Sequence, residues 1–365
     1  MTTSDPCIEG AEGLSDCKPP AVRFIHAVAR RTRLPVFACI LLVCLLPYLI
    51  GLFLALGTPG GVEDHTVFWL KVNVFMITAG AFILLDFIHR RILSAVADVL
   101  APIRDPAEAD RVRGALRFVF AARQQWWFYV LFGVPVIVSI ILLLGLPFTG
   151  ALWAFYFLYT LCTILLAMSG LWISIGLIHL AGVYSRCDSV RLNLVEPLNT
   201  PGVRPMANLS TTWGVCFTVE AILLLIGLWM APWSGSRDIS ALTSTGWTLF
   251  VVVCVAVTII YPKVLLRALL DRGKRRRLEW FQSTMAECED HCFDLPLEEI
   301  QRRERALGLL KEYNDLYGRM ARARTSAFDL QTVMKLIGSL LVPIVMLAMR
   351  NRVALSKLLD QAAGP

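Results

Sequence analysis

Long stretches without a charge constrain this chain more than any other feature. Val36 to Leu56, Trp126 to Leu146, Ala151 to Tyr184 and Gly246 to Tyr261 hold no Asp, Glu, Lys or Arg; Val67 to Leu85 carries only Lys71, and Trp213 to Ala231 only Glu220. A helix needs about 20 apolar residues to cross bilayer hydrocarbon. Open strands and loops cannot cross, because their unpaired backbone groups would cost several kcal/mol each. The runs therefore predict an all-α fold, a polytopic integral membrane bundle of six spans. Composition agrees: 56% of residues are hydrophobic and 17% charged, with a mean hydropathy of +0.63. Such a chain has too little polar surface to cover a fold in water, so the lipid bilayer is its expected first partner. The fourth run is unusually long. At about 1.5 Å per residue it overshoots a hydrocarbon core of roughly 30 Å, so it must tilt or project beyond the membrane.

Lys and Arg decide orientation, because basic connections stay cytosolic. Residues 1–35 hold five, 89–125 hold seven, 184–209 hold three and 263–277 hold seven, whereas 58–66 and 148–150 hold none and 232–245 hold only Arg237. Every basic segment falls on one side. The expectation is a multi-pass protein of the cell membrane with a cytosolic N-terminus, its spans at 36–262 paired into three hairpins with cytosolic connections at 89–125 and 184–212. Residues 1–35 read as a basic cytosolic segment, not a cleaved export signal, with 1–20 as a disordered lead-in. Trp69, Trp126, Trp127, Trp153, Trp229, Trp233 and Trp247 fall near span ends, where an aromatic belt sits. Half of the ten cysteines lie in apolar runs, where they act as small hydrophobes, and reduced thiols are expected. A further apolar run, Leu336 to Met349, contains Pro343 and is followed by Arg350, Arg352 and Lys357. It reads either as a short seventh span or as a re-entrant or surface helix, ahead of a tail at 350–365.

Two regions read as soluble helix. Asp105, Pro106 and Glu108 form a helix start, with Asp as cap, Pro first and Glu three residues after the cap; the helix is expected to run on into span three. Beyond span six, Leu278, Phe281, Met285, Cys288 and Cys292 draw one apolar stripe, and Ala306, Leu310, Tyr313, Tyr317 and Met320 another after a break at Phe293 to Pro296. Facing stripes predict a cytosolic helical hairpin or an intersubunit coiled coil over 263–332.

Few residues carry recognisable chemistry. Glu220 lies several residues inside an apolar helix, a costly position for an acid that neither has a partner nor performs a role. It could bind a cation, carry a proton, line a pore, or bond to a neighbour such as Thr218. Asp86 and His89 share a helix face at the inner end of span two, which suits a proton relay or pH sensor as well as an interfacial ion pair. Lys274, Arg275, Arg276 and Arg277 follow span six. With Arg186, Arg191 and Arg204 of the inner connection they are candidate contacts for anionic lipid or an anionic cytosolic ligand such as a nucleotide, against ordinary juxtamembrane charge. The connection from Ser185 to Thr212 has no helical period and is the preferred place for a ligand contact or gate. Cys288, Glu289, His291 and Cys292 would need a further ligand from elsewhere to close a metal site, and the apolar stripe already accounts for both cysteines, so no metal is assigned. No Gly-rich phosphate loop, HExxH helix, nucleophile elbow or kinase signature occurs. No catalytic residue, cofactor or specific nucleic-acid binding is expected, and the chain does not read as an enzyme. The leading expectation is a homo-oligomeric channel gated by a cytosolic signal acting on the helical cytosolic region. The alternatives are a proton- or ion-coupled secondary transporter, with Pro47 and Pro135 interrupting paired helices and Glu220 as coupling acid, and a non-conducting sensor or scaffold.

Overall fold

A computed structural model describes residues 18–56, 65–136, 150–193, 200–230, 237–294 and 300–323, with parts of 333–345. Among these, nearly every residue is helical and there is no strand, so the all-α expectation holds. The helices are α1 (Pro20–Thr32), α2 (Val36–Leu56), α3 (His65–Leu100), α4 (Pro106–Phe120), α5 (Ala122–Phe128, continuing as a π-turn at Tyr129–Gly133), α6 (Gly150–Ser185), α7 (Val203–Met230), α8 (Arg237–Asp294) and α9 (Ile300–Arg322).

By length and composition, two described segments can cross a membrane, Ile164–Ser185 and Thr248–Asp290, and a third crossing exists if Pro20–Thr32 and Val36–Gly51, bent by 104°, form one broken span. That is fewer than the six expected. The expected spans Trp126 to Leu146 and Trp213 to Ala231 run into residues outside those described, as do most of the lead-in, the break before α9 and most of the run Leu336 to Met349. Of that last run a short apolar helix is seen, Val333–Val342, about 15 Å long and too short to cross alone.

Apolar side chains divide cleanly between an inner and an outer set. Ile88, Ile92, Leu116, Ile173, Leu177, Val255, Ile259 and Leu266 are fully buried in one core shared by α3, α4, α6, α7 and α8. Leu249, Val253, Val257, Tyr261 and Val264 recur on one exposed stripe of α8, Met76, Ile83 and Phe87 on α3, and Phe37, Leu42, Leu46 and Phe53 on α2. In water such stripes would drive aggregation; against lipid tails they incur no penalty.

Three boundaries differ from the sequence expectation. The helix begun at Asp105 starts as expected, with the Asp105 carboxylate accepting from Ala107 N at 3.0 Å, but it breaks at Ala121 instead of running straight on. The break frees the Val119 carbonyl, which accepts a hydrogen bond from the buried Trp172 indole at 2.8 Å. α7 begins at Val203, so the irregular connection is shorter than Ser185 to Thr212. Its last turn passes Gly202, whose φ of +84° suits glycine and whose missing side chain leaves room for the Tyr184 ring and Pro102. Finally, α8 runs unbroken for 58 residues, through Pro262 and past the expected end of span six. At 1.5 Å per residue it is about 87 Å long.

Candidate functional site

The strongest concentration of charge and shape lies where the ends of α3 and α6 meet the basic stretch of α8. The turn after α3 and the turn after α6 are sewn together as a single antiparallel bridge, Ile103 to Val190. Arg104 N donates to Ser189 O at 3.3 Å and Arg191 N to Pro102 O at 2.8 Å. Glu108 locks the second turn. Its carboxylate accepts from Asp188 N and Ser189 N at 3.0 Å each and from Ser189 Oγ at 2.6 Å. Burial alone would raise the pKa of Glu108, but these donors, with Arg111 nearby, outweigh it and hold the carboxyl below its usual range. The sequence suggested that Glu108 serves its own helix terminus; the structure turns it to a loop some 80 residues away.

Asp188, fixed by Glu108, faces α8. It pairs with Arg276 at 3.0 Å and more loosely with Arg272 at 3.9 Å, and Arg272 also donates to the Ser185 carbonyl. Gly273 admits the Leu192 side chain against the α8 backbone, where any Cβ would collide with it. The result is an open cleft of about 610 Å³ whose walls include Arg104, Asp188, Arg191, Arg276, Arg277 and Trp280. Among the described residues, four arginines and one carboxylate residue line it. Trp280 is 45% exposed, and the Arg277 guanidinium lies over its ring at 4.6 Å, a cation–π stack at the rim.

The basic residues singled out in the sequence therefore scatter. Arg191, Arg276 and Arg277 share the cleft. Lys274 turns the other way and donates to Ala321 O and Ala323 O at 2.8 Å each, capping the end of α9. Arg275 and Arg186 are exposed outside the cleft, and Arg204 lines a second hollow of about 390 Å³ with Arg91, Asp98 and Asn208. Sequence reasoning missed Arg104, Asp188 and Trp280 as site residues. Nothing in the linear pattern links them, since Arg104 and Arg191 are brought together only by the Ile103–Val190 bridge.

A second polar cluster lies within α3, at the lower end of its exposed apolar stripe. Asp86 is buried and hydrogen-bonded to His26 Nε2 of α1 at 2.8 Å, and it also pairs with Arg90 one turn on. His89 does not join Asp86. It packs edge-on against Phe120 at 5.0 Å, and among the described residues neither ring nitrogen has a hydrogen-bond partner. His89 lies beyond the exposed apolar belt of α3. Burial there, reinforced by Lys18 and opposed by Asp86, pushes its pKa down to about 4.

Glu220 of α7 faces α3 where Gly80 has no side chain. Its Oε2 is buried and has no hydrogen-bond partner among the described residues, beside a small apolar void lined by Ala81, Leu85, Gly170, Trp213 and Phe217 among others. Thr218, a sequence-level candidate partner, donates instead to Gly214 O at 2.8 Å. Among the described residues no group of three or more His, Cys, Asp or Glu is placed to hold a metal ion; the side chains of His291 and Cys292 lie outside them. Compared with protein-family models, curated proteins and solved structures, the chain matches none.

Proposed function

We propose that this is a multi-pass cell-membrane protein, its N-terminus and basic end cytosolic, that forms an oligomeric channel controlled from that end. The observation that carries the reading is α8. One uninterrupted helix bears the exposed apolar stripe from Leu249 to Val264, then the arginines of the cleft, then the face that receives α9. The cleft and the membrane portion lie on one continuous helix, with Pro262 between them, so a change in the cleft reaches the membrane portion as a tilt, rotation or bend of the same element. The six spans, with a possible seventh, are those read from the sequence; two described helices long and apolar enough to cross, or three if the bent pair is one span, support membrane insertion, and the remaining crossings belong to the proposal. The pore would lie between copies, as the centre of the single chain is filled by side chains. The test is ion flux from liposomes holding the purified chain, together with the mass of the detergent-solubilised particle. A monomeric particle, or flux no greater than in empty liposomes, defeats the channel reading.

One observation favours a coupled transporter as the second reading. Gly214 meets Ile259, five residues above the lower end of the α8 apolar stripe. Glu220, six residues further up α7, therefore stands about 16 Å inside, near the midplane of a core roughly 30 Å thick. Buried acids at that depth serve as coupling sites in transporters. Saturable uptake driven by a proton or sodium gradient, and abolished by Glu220→Gln, would replace the channel reading with this one.

A further inference from the structure

We infer that the cleft between α8 and the two turns is a binding site for a soluble, ring-bearing phosphorylated anion of the nucleoside polyphosphate class. The inference names the ligand of the controlling end proposed above, and depends on that reading only for where the bilayer lies.

Charge comes first. Arg104, Arg191, Arg276 and Arg277 line one cavity, and the one carboxylate residue lining it among the described residues, Asp188, is already met by Arg272 and Arg276. Among the described residues no carboxylate pairs with Arg104, Arg191 or Arg277. Three arginines around one cavity with no carboxylate partner among the described residues favour a bound anion, and the planar fork of a guanidinium matches phosphate oxygens two at a time. Shape comes second. The cavity, at about 610 Å³, falls within the roughly 300–1,000 Å³ range of small-molecule sites. The exposed Trp280, with Arg277 stacked on it, supplies a flat surface at the rim where a base can stack, as bases do on aromatic and guanidinium planes.

Depth separates a soluble ligand from a lipid headgroup, which offers the same phosphate chemistry. Val264 is the last large apolar residue exposed on α8 before Trp280. Gly273 and Trp280 therefore lie roughly 14–24 Å beyond the lipid-facing stripe. α3 gives an independent measure: its exposed apolar residues end at Phe87, and the turn leading to Arg104 begins about 20 Å later. The headgroup layer is only about 5–8 Å deep on each side. The cleft opens well below it, into solution.

The experiment is calorimetric titration of the full chain in phosphatidylcholine nanodiscs with ATP and, separately, with tripolyphosphate. Both should bind. Arg104→Gln and Arg191→Gln should each weaken both probes about tenfold, the loss of one charged hydrogen-bonding partner. Trp280→Leu should weaken ATP alone, and Arg267→Gln, exposed and paired with Asp271, should change neither. An azido-ATP photolabel on the unaltered chain should mark peptides covering 188–193 or 273–280, which keeps the test open should a variant misfold. The proposal is overturned if neither probe binds, if binding ignores both arginine substitutions, if the label lands elsewhere, or if binding appears only in nanodiscs containing a phosphoinositide. Flux is not read in this assay, so a chain that binds ATP but conducts nothing loses the channel reading and keeps the site.

Discussion

At the scale of single residues, the basic end holds one group whose hydrogen bonds are committed to a distant turn and one that makes none among the described residues. Glu108 is 6% exposed and satisfies two backbone amides and a hydroxyl of a distant turn. Glu108→Ala leaves those donors without a partner, which costs about 2–4 kcal/mol at the usual penalty for unsatisfied buried groups. The expected outcome is a lower melting temperature in detergent and faster amide exchange over 186–193. His89 is the opposite case. Its folded pKa, about 4, lies below the value of about 6.5 for a free imidazole. Between those values the unfolded chain binds the proton and the folded one does not. His89 therefore leaves stability intact above about pH 6.5 and subtracts up to about 3 kcal/mol as pH falls toward 4. His89→Phe should keep the packing against Phe120 and raise the melting temperature more at pH 5 than at pH 8. An equal shift at both values would show that protonation of His89 does not limit acid stability.

At the scale of elements, the long helix and its short partner have separate roles. α9 is docked on α8 by the ring contact of Phe281 with Tyr313 at 5.7 Å, by Gln282 donating to the Tyr317 hydroxyl at 3.0 Å, and by Lys274 at the α9 terminus. The facing stripes read from the sequence predict this pairing of α8 with α9. What they leave out is that Lys274, read there as a ligand contact, closes the hairpin. Lys274→Ala removes two bonds to terminal carbonyls, each worth about 1 kcal/mol. Exchange protection across 300–322 should fall, while that of α6 and α7 stays unchanged. Loss of protection throughout the bundle would mean that the hairpin and the bundle fold as one unit. The break at Ala121 had no sequence signal, since neither proline nor glycine marks it. It exists because an indole 51 residues further on takes up the carbonyl that the break releases.

At the scale of the whole molecule, the basic end and the apolar belt form successive layers, and the proposed orientation follows from which layer meets lipid. Ser94 and Ser283 are exposed at the basic end. In intact cells, Ser94→Cys and Ser283→Cys should react with a membrane-impermeant maleimide only after permeabilisation; reaction beforehand would invert the topology. The sequence alone determined the helical class, the apolar runs, the start of α4 and the stripes of α8 and α9, because each rests on local spacing along one element. It also marked Glu220 and Asp86 as unusual, because a carboxylate beside apolar neighbours is costly wherever the chain goes. Only the tertiary structure decided that Asp86 meets His26, that Glu108 serves a distant turn, that α8 runs on unbroken to Asp294, and that Arg104, Arg191, Arg276 and Arg277 share one cavity. Those facts depend on which helix ends are brought together. Packing between elements distant in sequence sets that, and no periodicity within a segment records it.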